Sequence, residues 1–547
     1  MVMATKAMAH NRKTTGKMAG AIPRRPNVPR LLAGAFCSAL ITLPAGAEPW
    51  RVVPQITLSE TYTDNAQLAP SASAKDSLVS NITAAIRIER QGPRSSLSIN
   101  YSHQQLFYSD FPRLNNRQNA LTSSLTTQII DNWFFLDARA NISQENQSAF
   151  GSAISANAAA NNQDRTETRT YQLSPNIRGS FTDRAVYQLR LNETQSESDR
   201  GALSNAVSRS FPTTRSTEWI GRIRNASLAA PMGWALDLNS LAVRSSVIGN
   251  KLDARLSASV IYGFNSQLHV SLIGGAERSD FASVDRKTNT TYGAAIEYTP
   301  NPRTQLLAGS ESRFFGHSHN FIFAHRTPVT AWRLASAREI ATLPNELATR
   351  NGGVLASLLS DLVATSIPNP VARAEAVRNR FESVGGAPNP ITTGNFLTQR
   401  PYVTKNTEAS VALLGLRNTI TATISQSDRR SFGILPAEAV TPNTFTNDDN
   451  VRRKRASLSW AYRLTPVTTM TLQASRTRTE SLLAPLLHAA PLILIPRSDQ
   501  QTHSLFITTA LGQHTSASLG VRHIKFESTA FTSYGENALV GTFIVRF

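Results

Sequence analysis

Three histidines lie close together at His317, His319 and His325, and imidazoles two residues apart can share a metal ion. No Cys and no dense acid cluster accompanies them beside Gly316, so they read as ordinary loop histidines. Nucleophilic catalysis needs a Ser held by a His that an acid or amide orients. With many serines and ten histidines, chance pairs are unavoidable, and no motif singles one out. Gly274-Gly275 and Gly352-Gly353 lack the spacing and the Lys of a phosphate-cradling loop. The run Arg452-Arg453-Lys454-Arg455 would suggest nucleic acid in a cytosolic protein. At the outer end of a strand in an exported chain, it suits lipopolysaccharide phosphates instead. These residues predict no enzyme, no metal, no cofactor and no nucleic-acid partner.

Arginine is the one chemically marked residue type, with 43 Arg against six Lys after residue 47. A genome rich in G and C produces such a bias without any function. Yet Arg87, Arg139, Arg190, Arg222, Arg224, Arg244, Arg476 and Arg478 fall between apolar positions of alternating segments. Charge is costly against lipid near the bilayer midplane, so these cations are expected in a lumen or near an interface. Guanidinium groups along a pore favour anions by charge and by forked hydrogen bonding.

The elements that must position them have period two. Ile82, Ala84, Ile86 and Ile88 alternate with Thr83, Ala85, Arg87 and Glu89, while Leu121, Leu125 and Ile129 oppose Thr122, Ser124, Thr126 and Gln128. Segments of roughly ten to fourteen residues with one apolar face are long for a soluble sandwich and suit a membrane-spanning barrel. Tight turns at Gly92-Pro93, Asp131-Asn132, Thr182-Asp183, Asn265-Ser266 and Thr465-Pro466 alternate with longer polar connections such as 63–76, 148–165, 340–403 and 431–450. Two outer connections, near Gly249 and Gly316, are short. The sequence therefore predicts an all-β, transmembrane antiparallel up-and-down β-barrel of about 22 strands, within about 18 to 24, with a helical insertion in one outer loop.

The ends fit an outer-membrane route. Lys6, Arg12, Lys13, Lys17, Arg24, Arg25 and Arg30 precede the apolar run Leu31 to Leu43 and Ala45-Gly46-Ala47, which reads as a signal peptide cut after Ala47. Its n-region is long, and Met18 is an alternative start. The only cysteine, Cys37, leaves with it, so no disulfide is expected. The barrel is expected over 48–547 with both termini periplasmic. At the other end Leu539, Gly541, Phe543, Val545 and Phe547 share one face and finish on an aromatic residue. This strand resembles the C-terminal recognition strand of outer-membrane proteins, which implies insertion by the barrel-assembly machinery.

Two stretches break the alternation. Val354, Leu355, Leu358, Leu359 and Leu362 recur at helical spacing. A second helix starts near Pro370, carries Val371, Ala374, Val377 and Phe381, and stops at Gly385-Gly386. This pair lies in the outer loop 340–403, as a surface cap or as a plug folded into the lumen, the cap being the expectation. Leu482 to Ile495 is apolar but broken by Pro485 and Pro491, and suits a dip into the outer leaflet.

The segments Val52 to Pro70, Phe314 to Trp332 and Val411 to Thr419 resemble the PEP-CTERM system-associated outer-membrane β-barrel family. That resemblance implies a genomic setting beside exosortase and exopolysaccharide machinery, and carries no catalytic residues. The expected function is a conduit or accessory in secretion of an exopolysaccharide, an acidic one by the arginine argument. Outer-membrane lipid, lipopolysaccharide and polysaccharide export components are its expected partners. The alternatives are a non-conducting structural or adhesion barrel that binds surface polymer, and more remotely an outer-membrane hydrolase.

Overall fold

The computed structural model describes residues 50–152, 165–198, 213–225, 231–245, 248–349, 396–398, 400–432, 450–482 and 495–547, together with Ser360, Arg373 and Val377. Residues 1–47, expected to be a signal peptide, lie outside these, as does most of the apolar stretch 482–495. The first strands are β1 (Arg51–Thr63), β2 (Ser77–Gln91), β3 (Ser95–Tyr108), β4 (Asn116–Ile130), β5 (Phe134–Asn146), β6 (Arg165–Thr182) and β7 (Ala185–Ser198). Next come β8 (Thr214–Asn225), β9 (Met232–Ser245), β10 (Gly249–Gly263), β11 (Leu268–Ser279), β12 (Lys287–Asn301), β13 (Thr304–Arg313), β14 (Gly316–Arg326) and β15 (Thr330–Ala341). A short helix α1 (Leu343–Thr349) follows, then β16 (Tyr402–Leu414), β17 (Asn418–Ser431), β18 (Asn450–Arg463), β19 (Thr468–Ser481), β20 (Arg497–Ala510), β21 (Thr515–Ser528) and β22 (Tyr534–Arg546).

Each strand pairs antiparallel with its sequence neighbour, and β1 pairs with β22, so the 22 strands close into an up-and-down barrel. Closure leaves no sheet edge, which is the condition for a sheet in hydrocarbon, where no water can satisfy free N–H and C=O groups. At the seam the Ser59 and Thr542 hydroxyls are 3.1 Å apart and the Phe547 amide donates to the Pro54 carbonyl at 3.0 Å. The connections alternate as the sequence predicts. One end carries tight turns such as 131–133 and 415–417, and the other carries the long connections, including 64–76 and 342–401. These are called the turn end and the loop end. The short exceptions at the loop end turn through Gly249 (φ +70°) and Gly316 (φ +97°), backbone angles that favour glycine.

Side-chain parity follows from the register. On β1, Ile56, Leu58 and Tyr62 are exposed on the outer face, whereas Ser59, Thr61 and Thr63 are buried on the inner one. Carried around the ring by the strand pairs, the outer face includes Leu236, Leu256, Leu272, Leu458 and Leu519, and the inner face is mostly hydroxyl, amide and charged. Trp234, Tyr262, Tyr298 and Trp332 form an outward aromatic girdle near the turn end. An apolar belt with interfacial aromatics is the surface of a lipid-embedded barrel. Phe543 and Val545 lie on that outer face beside β1, and Phe547 ends it, exposed.

Leu472 and Gln473 are adjacent, outward and inward, and both exposed. Leu472→Arg puts a charge on the lipid face between interface and midplane and is expected to cost about 1–3 kcal/mol, and Gln473→Arg to be nearly neutral. Urea unfolding of the barrel in lipid vesicles measures both. Equal costs would contradict the assigned faces.

Candidate functional site: the lumen and its loop-end closure

The registers place Arg87 (β2), Arg139 (β5), Arg190 (β7), Arg222 and Arg224 (β8) on the inner face. Arg87, Arg222 and Arg224 stand toward the turn end, the other two nearer mid-height. Of the two settings expected, lumen or interface, Arg244, Arg476 and Arg478 do not take the lumen. Arg244 shares the parity of Trp234, Leu236 and Leu238, and Arg476 and Arg478 continue that of Met470 and Leu472, so all three face outward near the loop end. The alternation continues past the apolar belt into a zone where charge is tolerated. The basic run on β18 is likewise split. Arg452 and Lys454 point outward, but Arg453 and Arg455 point into the lumen, away from any lipid phosphate.

The lumen is not a cationic tube. Arg190 pairs with Asp137 at 2.6 Å and Arg222 with Asp237 at 3.3 Å. Arg255 pairs with Glu311, and Arg313 with both Glu277 and Asp253, the latter at 3.2 Å. Arg522 and Glu536, both buried, meet at 2.9 Å. A buried charge is tolerated only with a partner, so inward arginines bring inward carboxylates with them. The pairs at Arg190, Arg222, Arg255, Arg313 and Arg522 thereby reduce the anion filter expected from the arginine count.

At the loop end the chain folds into its own lumen. Residues 147–152, leaving β5, reach the far wall. The Ser152 hydroxyl lies 2.6 Å from the Tyr534 hydroxyl on β22 and donates to the Gln500 amide oxygen on β20 at 3.2 Å. Arg453 on β18 donates to the Ala149 carbonyl at 3.1 Å, and Phe150 packs with Phe396 and Val451. From β15, helix α1 crosses to β5–β8. Leu343 and Leu347 cluster with Leu397, Asn141 donates to the Leu347 carbonyl at 3.4 Å, Ser216 to Asn345, and Arg429 on β17 to Glu346 at 3.0 Å. Residues 396–398 then run beside Asn146, whose carbonyl accepts the Leu397 amide at 3.0 Å.

This packing explains why a wall of hydroxyls and amides is buried. Thr170 donates to Ser196 at 3.2 Å and Gln172 to Thr194 at 3.1 Å on the inner faces of β6 and β7. Phe281, Phe314, Phe315 and Phe432 form an aromatic cluster that ties further connections together at the rim. Within the connection 342–401, Ser360, Arg373 and Val377 are helical and Val377 is buried. Leu355, Leu358, Leu359, Leu362 and Phe381 lie outside the described residues. Sequence reasoning missed the closing residues Phe150, Ser152, Leu347 and Leu397. The one available signal was apolar residues, Phe150 and Leu397, inside otherwise polar connections.

The histidines do not converge. His317 and His319 lie near the loop end of β14 and His325 near its turn end, with six residues of strand, about 20 Å, between His319 and His325. His319 lies 3.0 Å from the Ser336 hydroxyl on the outer face, the pair a lipid hydrolase needs. Among the described residues, no carboxylate or amide side chain hydrogen-bonds to His319 to complete a triad.

No protein-family model matches the chain, and no curated protein matches it. Among solved structures it is similar to the apoprotein form of the FrpB iron transporter from Neisseria meningitidis (F5-1 variant), at 9% identity and TM-score 0.48, covering 90% of this chain and 81% of that one. It is similar to the siderophore receptor PirA from Acinetobacter baumannii at 9% identity and TM-score 0.46, covering 90% and 80%. A third likeness is to Acinetobacter baumannii OccAB1, at 8% identity and TM-score 0.33, covering 91% and 96%.

Arg522→Leu leaves Glu536 buried with its charge uncompensated and is expected to destabilise the barrel by about 3–5 kcal/mol. Adding Glu536→Gln is expected to recover most of that loss, because an amide needs no counter-charge. Chemical denaturation in vesicles provides the check, and additive losses would contradict the pairing.

Proposed function

We propose that the chain is an outer-membrane barrel, with its loop end outside, that acts as a gated conduit in exopolysaccharide secretion. The observation that carries this reading is the latch formed when residues 147–152 leave β5 and reach Ser152–Tyr534 and Ser152–Gln500 contacts on the wall at β22 and β20. The apolar belt and girdle suit the outer membrane, and closure by a folded-in connection suits a regulated passage. The inner face supports a polymer of sugars. Its ion pairs weaken selection by sign, while its hydroxyls and amides match sugar hydroxyls. The resemblance of residues 52–70, 314–332 and 411–419 to the PEP-CTERM-associated family supports the exopolysaccharide setting.

Gln147 is 1% exposed, and neither polar atom of its amide has a partner among the described residues. A buried unsatisfied polar group costs about 1–3 kcal/mol, so an apolar side chain at position 147 is expected to strengthen the latch.

Subcellular fractionation is expected to recover the chain with the outer membrane, and recovery elsewhere would contradict that part of the reading. In planar bilayers the native barrel is expected to open rarely. Gln147→Leu should lower the open probability, while Phe150→Ser with Tyr534→Phe should raise it. No current from either the native barrel or the unlatched variant would contradict the conduit and favour the structural or adhesion barrel.

A further inference from the structure

We propose that the outer face of β14–β19 holds a binding site for a diphosphorylated, multiply acylated glycolipid of the lipid A type. The proposal rests on the reading that the loop end faces outward, because such a glycolipid belongs to the outer leaflet.

A groove of about 660 Å³ opens on this face. The register resolves it into rows. Phe323, Leu334, Ala409, Ile424, Ala456 and Arg476 are neighbours across successive strands. One step toward the loop end lie Phe321, Ser336, Thr407, Gln426, Lys454 and Arg478, and one step further His319, Arg338, Lys405, Asp428, Arg452 and Glu480. The outer face thus passes from apolar through polar to charged over three rows. Small residues, Ala409 and Ala456, sit between the larger Leu334, Ile424 and Arg476, and that difference in size makes the depression. Its apolar part has the character of an acyl-chain bed, and its rim has the character of a headgroup contact.

The rim carries more cations than its acids neutralise. Arg452 is held by Asp428 at 2.8 Å, Arg476 by Asp499 at 2.7 Å, and Arg478 by Glu480. Arg476 and Arg478 remain half exposed or more, free to reach a second anion. Lys405 and Lys454 have no ion pair among the described residues. Lys405 on β16, Lys454 on β18 and Arg478 on β19 spread over about 14 Å of sheet. One phosphate cannot span that width, but two phosphates at opposite ends of a disaccharide headgroup can. Strongly hydrated ammonium groups and forked guanidiniums together suit phosphate oxygens.

The test uses the full chain purified in non-ionic detergent micelles, so it is independent of where the protein resides in the cell. Fractionation can therefore fail without affecting this measurement, and the reverse also holds. Diphosphoryl lipid A, monophosphoryl lipid A, phosphatidylglycerol and phosphatidylethanolamine are titrated in, and retained lipid is counted by native mass spectrometry. Diphosphoryl lipid A is expected to be held at least about tenfold more tightly than the other three. Lys405→Glu with Lys454→Glu and Arg478→Glu is expected to weaken it by at least about tenfold, while Arg117→Glu, exposed on the outer face of β4, leaves it unchanged. The slower or faster gel migration of unheated samples shows that each variant is folded. Unchanged retention by the triple variant, or phosphatidylglycerol held as tightly as the diphosphoryl lipid, would overturn the site.

Discussion

Every backbone N–H and C=O that enters hydrocarbon must find its partner within the protein, and the rest of this structure follows from that constraint. An open sheet would leave an unpaired row on β1 and another on β22, so these strands must meet, as they do from Gln55↔Arg546 to Thr63↔Ala538. Once the ring is closed and the registers are fixed, each residue has only two directions in which to point. A single-residue slip would turn Leu58 and Tyr62 into the lumen and Ser59 and Thr61 toward lipid, which is why one register is strongly specified.

Closure also creates an interior wide enough to need filling. For 22 strands tilted as barrels require, the diameter is about 40 Å, far more than side chains alone can fill. This chain fills the loop end with its own connections, so Phe150, Leu347 and Leu397 reach a buried environment that no strand provides. The inward charges obey the same economy of solvation. Arg190, Arg255, Arg313 and Arg522 each meet a carboxylate, and the lumen gains a rigid polar lining instead of a uniform field. Lys405 and Lys454, which have no ion pair among the described residues, lie outside, where water and lipid headgroups can solvate them.

The strands were legible because their physics is local. Alternation around Ile82–Ile88, glycine and proline at the turns, and the outward run ending at Phe547 each declare themselves within a dozen residues. The face of Arg244, Arg476 and Arg478 was legible too, by counting in twos from Leu238 or Leu472, but the flanking apolar residues thin out at strand ends and the parity is easily lost there. The pairing of inward arginines was not legible. Arg255 finds Glu311 and Arg522 finds Glu536 through registers that depend on all intervening turns. The latch was hidden for a stronger reason, since Ser152 and Tyr534 are separated by almost the whole barrel in sequence and meet only because the ring is closed.

The connection after β5 lies across the lumen and packs against the wall at β18, and the closure of the loop end depends on that placement. Its most direct test is a distance measurement between spin labels at Phe150→Cys and Val451→Cys in a chain lacking Cys37, reconstituted in lipid vesicles. A folded-in connection gives a narrow distribution well below the barrel diameter of about 40 Å, because both residues belong to one packed cluster. A broad distribution centred near or beyond that diameter would place the connection outside the barrel and contradict the closed lumen.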